Sequence, residues 1–572
     1  MATSYPTIFL LLLSSNCFLI LLSSSSASAK LVQHTFHVEN IKVKRLCGEH
    51  EIVAVNGKVP GPTIRVNEGD TLLVHVLNNS PYNVTIHWHG VLQYLSGWAD
   101  GVEYVTQCPI VPGNRYTHKF NITKQEGTLF WHAHSSYLRS TVHGLIVIRP
   151  RGGRAYPFPK PHKEFPIILG EWWNSNANDI VNEALTQGRL PNISDAFTIN
   201  GQPGDLHPCS SKSTHKLKVK QGRRYLLRIV NAALQSILFF KIANHKLTVV
   251  ATDASYVNPY VTDVVVIAPG QTVDVLLYTN QHATSYYMAA RVYQGSNLVK
   301  YGNTTTTAIL EYQDVSKSIE HPLMPSLPAF NDNETAYKFF SNLTGFTSAP
   351  FWSPVAKNVD EEMFVTIGLG LVPCDGCVGP FGQRLAGSMN NISFEPPTKM
   401  SMLQSFDNNN VDKIYTIDFP DKPPVNFDFS NPNNTFNPAL LMTTKATKAK
   451  QFKYNAIVEI VFQDTAFGSL EYHPMHLHGF DFHILAQGYG NYDPLKDRVK
   501  FNTINPQIRN TVAVPMGGWA AIRFQANNPG VWFIHCHVEV HLPIGLASAF
   551  IVENGPTPST TLPPPPSDLP QC

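Results

Sequence analysis

Long helical patterning is almost absent from this chain, and so is surplus charge. Nowhere do apolar residues recur over many turns at the spacing of an amphipathic helix, which argues against a helical bundle. Charged residues make up 15% of the 572 positions and leave a formal net charge of +2. That balance is no footprint for nucleic acid and permits at most weak attraction to an acidic matrix. Beyond the N-terminus no stretch is long and apolar enough to span a bilayer. Cysteines are few, eight in all, which leaves little material for a thiolate-rich zinc site.

The N-terminus supplies a compartment. An apolar run from Ile8 to Leu22 ends in a serine cluster, and Ala27-Ser28-Ala29 follows. This reads as a secretory signal over residues 1–29, although the first seven residues carry no Lys or Arg. Sequons at Asn78, Asn83, Asn121, Asn192, Asn303, Asn333, Asn342, Asn391 and Asn433 fit an extracellular glycoprotein. Cys17 leaves with the signal, so an odd number of cysteines remains. Cys47, Cys108, Cys209, Cys374, Cys377 and Cys572 read as three disulfides in an oxidising compartment, with their pairing open. Cys374 and Cys377 are close enough to close a small loop, and Cys572 can staple the tail to an earlier domain. Cys536 is the spare thiol.

What the chain does have is a strand-and-turn rhythm. Thr71-Leu72-Leu73-Val74-His75-Val76-Leu77 alternates and is followed by the turn residues Asn78-Asn79-Ser80-Pro81. Aromatics at 11% and 43 prolines suit an all-β sandwich or barrel. Three segments share one strand pattern: Val66 to Gly90, Val219 to His245 and Phe452 to Gly479. A second set begins at Pro112-Gly113, Pro269-Gly270 and Pro515-Met516-Gly517. Three related domains are therefore expected, at 30–150, 163–313 and 352–572. Proline-rich connections run from about Arg149 to Pro166 and from about Asp314 to Trp352, and a Pro/Ser tail runs from Gly555 to Pro570.

The chemistry lies in four His-x-His pairs: His87 and His89, His132 and His134, His476 and His478, His535 and His537. Residues two apart in a strand face the same way, so each pair can offer two imidazoles to one metal site. The pairs occupy matching places in the first and last repeats, and the middle repeat, around His282 to Gln294, lacks them. Cys536 lies between His535 and His537 and projects to the opposite face of an extended strand. With His473 and His541 it makes the two-imidazole, one-thiolate set of a blue-copper electron-transfer centre. Zinc is the competing metal for such ligands.

Those residues stand in longer signatures: HWHG at His87 to Gly90, WHAHSSYLRSTVHG at Trp131 to Gly144, HPMHLHG at His473 to Gly479 and HCHVEVHLPIGL at His535 to Leu546. Together with GWADG from Gly97, TQCPI from Thr106 and TINGQPGD from Thr198, they make the mature chain resemble the multicopper oxidases, and within them the plant laccases. The resemblance implies three cupredoxin-like Greek-key domains holding four coppers. It implies a type 1 copper on His473, Cys536 and His541, and a type 2 copper on His87 and His476. Two type 3 coppers would share His89, His132, His134, His478, His535 and His537, placing the trinuclear cluster between the first and third domains. Electrons would pass from a phenol through Cys536, His535 and His537 to dioxygen, with Asp100 and Glu539 as nearby carboxylates handling protons. Leu546, ten residues after Cys536, would face the axial side of the type 1 copper without a donor atom. His143 is read as a structural histidine.

A monomeric, secreted enzyme acting on small phenols such as lignin precursors is the expectation, with no nucleic-acid or membrane partner. Ascorbate oxidase and ferroxidase are the rival activities. The former typically has methionine where this chain has Leu546. A copper-free cell-wall binding protein is the rival of another class.

Overall fold

The computed structural model describes residues 29–294, 301–313, 321–434, 437–466 and 471–572. The expected signal segment lies outside them except for its last residue, as do residues 314–320 of the second expected connection. Strands dominate, and among the described residues they form six sheets of four, four, six, five, eight and five strands. Along the chain these fall into three pairs, the arrangement of three cupredoxin-like β units.

The repeats have a structural meaning. In each, a long strand of one sheet is followed by a strand of the companion sheet: Thr71–Asn78 then Ile86–His89, Arg224–Asn231 then Ile237–Ile242, Ala456–Asp464 then His473–Leu477. The proline–glycine turns then feed Arg115–Asn121, Thr272–Tyr278 and Gly518–Ala526 back beside the first strand of each pair. In Thr71–Asn78 every second residue is buried, as the alternation demands. Val74 and Val76 share a core with Ile146 and Ile148 of the facing sheet. Each such buried aliphatic contributes about 1.5–3 kcal/mol relative to exposure.

The histidine-bearing strands break that alternation. Gly127–Ala133 and Gly530–Cys536 are buried at every position, since both of their faces are covered. The two longest helices among the described residues, Ala177–Gln187 and Asn333–Asn342, escaped the sequence reading. The first is capped by the Asn176 side chain accepting from the Asn178 N–H, and the second by Asp332 accepting from Thr335. The second helix lies inside the segment expected as a proline-rich connection. The first connection also ends early, because Lys163–Trp172 is already a strand.

The disulfides pair Cys47 with Cys209, Cys108 with Cys572, and Cys374 with Cys377, leaving Cys536 free and buried. The tail is therefore tied to the first unit, where the Trp98 indole N–H also donates to the Pro563 carbonyl at 2.8 Å. One sequon is inaccessible: the Asn78 amide is buried and donates to the Tyr82 and Ile110 carbonyls, both at 2.7 Å.

Candidate metal centres

Strand register builds the larger site. Ile86–His89 pairs antiparallel with Gly127–Ala133 so that His87 lies opposite His132. In the third unit His473–Leu477 pairs with Gly530–Cys536 so that His476 lies opposite His535. The two strand pairs face each other, and eight buried imidazoles meet between the first and third units. Ring centroids are 3.7 Å apart for His89 and His476, 4.0 Å for His87 and His478, and 5.2 Å for His134 and His535. The middle unit closes one side by a bare backbone. A Cβ on Gly270 would come within 2.9 Å of the His537 ring and 3.0 Å of the His89 ring, so only glycine fits.

Hydrogen bonds turn several rings inward. His87 donates from Nδ1 to the Asp100 carbonyl at 2.8 Å, His476 to the Asn510 carbonyl at 2.8 Å, and His132 to the Ala133 carbonyl at 2.9 Å. Their Nε2 atoms are then buried without any partner. A buried nitrogen lone pair with no donor is costly unless a cation takes it, so the orphaned Nε2 atoms fit a metal. Three all-histidine groups bring their donor atoms within 4.8 Å of one another: His87, His89 and His476; His89, His132 and His537; His134, His478 and His535. A fourth group joins Asp100 to His87 and His478. Burial first, then the neighbouring histidines, and for His132 and His537 Arg139 ahead of those neighbours, hold His89, His132, His134, His476, His478 and His537 well below the ordinary histidine range. Neutral imidazoles are what metal binding requires.

Two buried carboxylates stand beside the cluster. Asp100 Oδ2 lies 3.0 Å from His478 Nδ1. Glu539 Oε2 lies 3.0 Å from Arg139 Nη2, and burial raises its carboxyl while Arg139 opposes the shift. Arg139, inside the Trp131 to Gly144 signature but not singled out in sequence, also donates to the His537 carbonyl at 3.1 Å and the Leu234 carbonyl at 3.2 Å. Its signal was a cation in an otherwise uncharged signature. His143 stands apart from the cluster, with Nδ1 donating to the Arg139 carbonyl at 2.7 Å.

The smaller site follows from strand parity. His473 and His476 are three apart on one strand and so face opposite ways. Cys536 Sγ lies 3.6 Å from His473 Nδ1 and 3.4 Å from His541 Nδ1. The strand stops at Cys536, and a short 3-10 turn, Glu539–His541, swings His541 back beside the sulfur. Burial raises the thiol, but His541 and His473 outweigh it and bring Cys536 down to about 6. Asp464 Oδ1 at 3.2 Å from His473 Nε2 and Glu471 Oε2 at 3.3 Å from His541 Nε2 complete an anionic surround that sequence reasoning missed. A thiolate with two imidazoles and flanking carboxylates suits a bound cation. Leu546 is buried next to it, its carbonyl accepting from Cys536 N at 3.1 Å and its own N–H donating to the His541 carbonyl at 2.9 Å.

Family profiles described as multicopper oxidase match residues 37–153, 163–314 and 418–556, and the chain belongs to that family. Plant laccases are among its relatives. It is 58% identical to Laccase-7 of Arabidopsis thaliana over 562 residues, covering 97% of this chain and 98% of that one. It is 50% identical to Laccase-3 of Oryza sativa subsp. japonica over 580 residues, covering both chains in full. The solved laccase from Botrytis aclada superposes with a TM-score of 0.73 at 26% identity, over 94% of this chain and 90% of that chain. Fet3p, a multicopper oxidase that functions in iron import, shares the fold with a TM-score of 0.71 at 22% identity, over 91% and 90% of the two chains. The chain is an oxidoreductase with laccase function, and its cofactors are four copper ions, one of type 1, one of type 2 and two of type 3.

Proposed function

We propose that this protein is a secreted, monomeric laccase that takes single electrons from small phenols, lignin precursors among them, and delivers four to each dioxygen. In this reading His473, Cys536 and His541 hold the type 1 copper, and His87 and His476 the type 2 copper. His89, His132 and His537 hold one type 3 copper; His134, His478 and His535 hold the other. The grouping of donor atoms supports that division. When bound, the coppers supply one-electron acceptance from the donor and four-electron reduction of dioxygen to water.

The chain's own residues do the rest. A cavity of about 740 Å³ opens beside the smaller site, with His541, Glu471, Tyr472, Leu371 and Val540 in its wall, room for a small aromatic. Cys536 is covalently continuous with His535 and His537, one bond path joining the two sites. Asp100 holds a hydrogen bond at His478 Nδ1, and Glu539 sits at the Arg139 guanidinium two residues from His537, each placed to hold protons beside the larger cluster. Burial of all eight imidazoles keeps bulk water away.

The observation that carries the proposal is the buried free Cys536 at the end of its strand, flanked in sequence by His535 and His537 of the other cluster. Dioxygen uptake by the copper-loaded protein with a diphenol, ascorbate and ferrous iron, side by side, tests it. Preference for the diphenol is expected. Faster turnover of ascorbate or iron would replace the reading by one of those rivals.

A further inference from the structure

Outside the metal centres, four tyrosines from separate parts of the chain form a line. The Tyr293 and Tyr472 hydroxyls lie 2.7 Å apart, with Tyr293 also 2.8 Å from Asn333 Oδ1, and the Tyr472 and Tyr489 hydroxyls lie 3.3 Å apart. The Tyr293 and Tyr472 rings are 5.0 Å apart, and those of Tyr337 and Tyr489 are 5.1 Å apart. The inner end meets the smaller metal site: Tyr472 immediately precedes His473 and lines the same cavity as His541. At the outer end Tyr489 is 46% exposed. Tyr337 packs on it and is itself held by donating to the Gln487 carbonyl at 3.0 Å.

We propose that this line is a second entry for electrons, through which Tyr489 oxidises phenolic groups on polymers too large for the cavity. It rests on the assignment of His473, Cys536 and His541 as the electron-accepting site. That oxidised site takes one electron from Tyr472 across the peptide link to His473. The Tyr472 proton passes to the Tyr489 oxygen as Tyr489 releases its own to water. A hydrogen atom then moves from Tyr489 to the Tyr472 oxygen radical, leaving the radical on Tyr489. A phenol on the polymer gives Tyr489 a hydrogen atom and becomes a phenoxyl radical. The sum is loss of one electron inward and one proton to solvent for each phenol, the same as in the cavity. The need for a second entry is steric, since a cavity of about 740 Å³ admits a small aromatic and not a cross-linked chain.

The test compares a free syringyl phenol with the same phenol tethered to dextran, using the copper-loaded full chain. Tyr489→Phe is expected to leave kcat/KM for the free phenol unchanged and to lower it for the tethered phenol at least about fivefold. Freeze-quenched electron paramagnetic resonance during turnover of the tethered phenol should show a tyrosine radical in the wild type that Tyr489→Phe lacks. Tyr489→Trp, still oxidisable, should recover much of the tethered rate. Equal tethered rates in wild type and Tyr489→Phe, or the same radical in both, would overturn the relay alone. A wild type that oxidises neither form would overturn the laccase reading and the relay with it.

Discussion

Asp253→Asn attacks the junction where the middle unit meets the third, far from any copper ligand in sequence. The Asp253 carboxylate accepts from Arg509 Nε and Nη2, both at 3.0 Å, and from the Thr272 N–H at 2.8 Å, with both charged side chains buried. Arg509 begins a segment that holds the cluster: the Asn510 carbonyl accepts from His476 Nδ1 at 2.8 Å, and Thr511 Oγ1 lies 3.2 Å from His89 Nε2. Replacing the carboxylate by an amide leaves a buried guanidinium without its counter-charge, a loss of about 3–5 kcal/mol for such pairs. Asparagine keeps one acceptor oxygen, so the lower end, about 3 kcal/mol, is expected. At roughly 2–4 °C per kcal/mol for a cooperative unit of this size, the melting temperature should fall by about 6–12 °C. Thermal scans at one fixed rate measure it, and the type 2 copper resonance should weaken as Asn510 loosens. The double substitution Asp253→Leu with Arg509→Met removes both charges and should recover much of the loss. A single variant that melts within about 1 °C of wild type and keeps its full copper would refute the reasoning.

Three further outcomes are expected. Cys536→Ser should be secreted and folded yet lack the strong blue colour and phenol oxidation; retained blue absorption in the purified variant would contradict the type 1 assignment. Leu546→Met should lower the type 1 reduction potential, because a thioether donates where leucine cannot, and potentiometric titration of the fully coppered variant reads it directly. Burial pulls His118 and His143 down to about 4, below the ordinary 6.5 of the unfolded chain. The unfolded chain therefore binds more protons, and the stability these two contribute is whole above pH 6.5 and lost as pH falls from there toward 4. Denaturant midpoints that stay level across that window would show that neither ring is kept neutral by the fold.

The clustering of the paired histidines, and of Cys536 with His473 and His541, was legible in sequence because its geometry is local. In a strand, side-chain direction follows parity alone, so His535 and His537 must share a face and Cys536 must take the other; His473 and His476, three apart, likewise divide between two sites. The three β units were legible for the same reason, through alternation and repeated turns. Contacts between distant segments were not. No periodicity announces that Asp253 will meet Arg509, that Gly270 will lie bare against His89 and His537, that Cys108 will find Cys572, or that Tyr293, Tyr472 and Tyr489 will line up. Nor does local pattern show that Asp464 and Glu471 will flank the smaller site. Strand spacing by itself determined which atoms this chain can offer a metal. How those atoms are aimed, charged and reached depends on docking three sandwiches together, which is a property of their packed surfaces and of no single stretch of sequence.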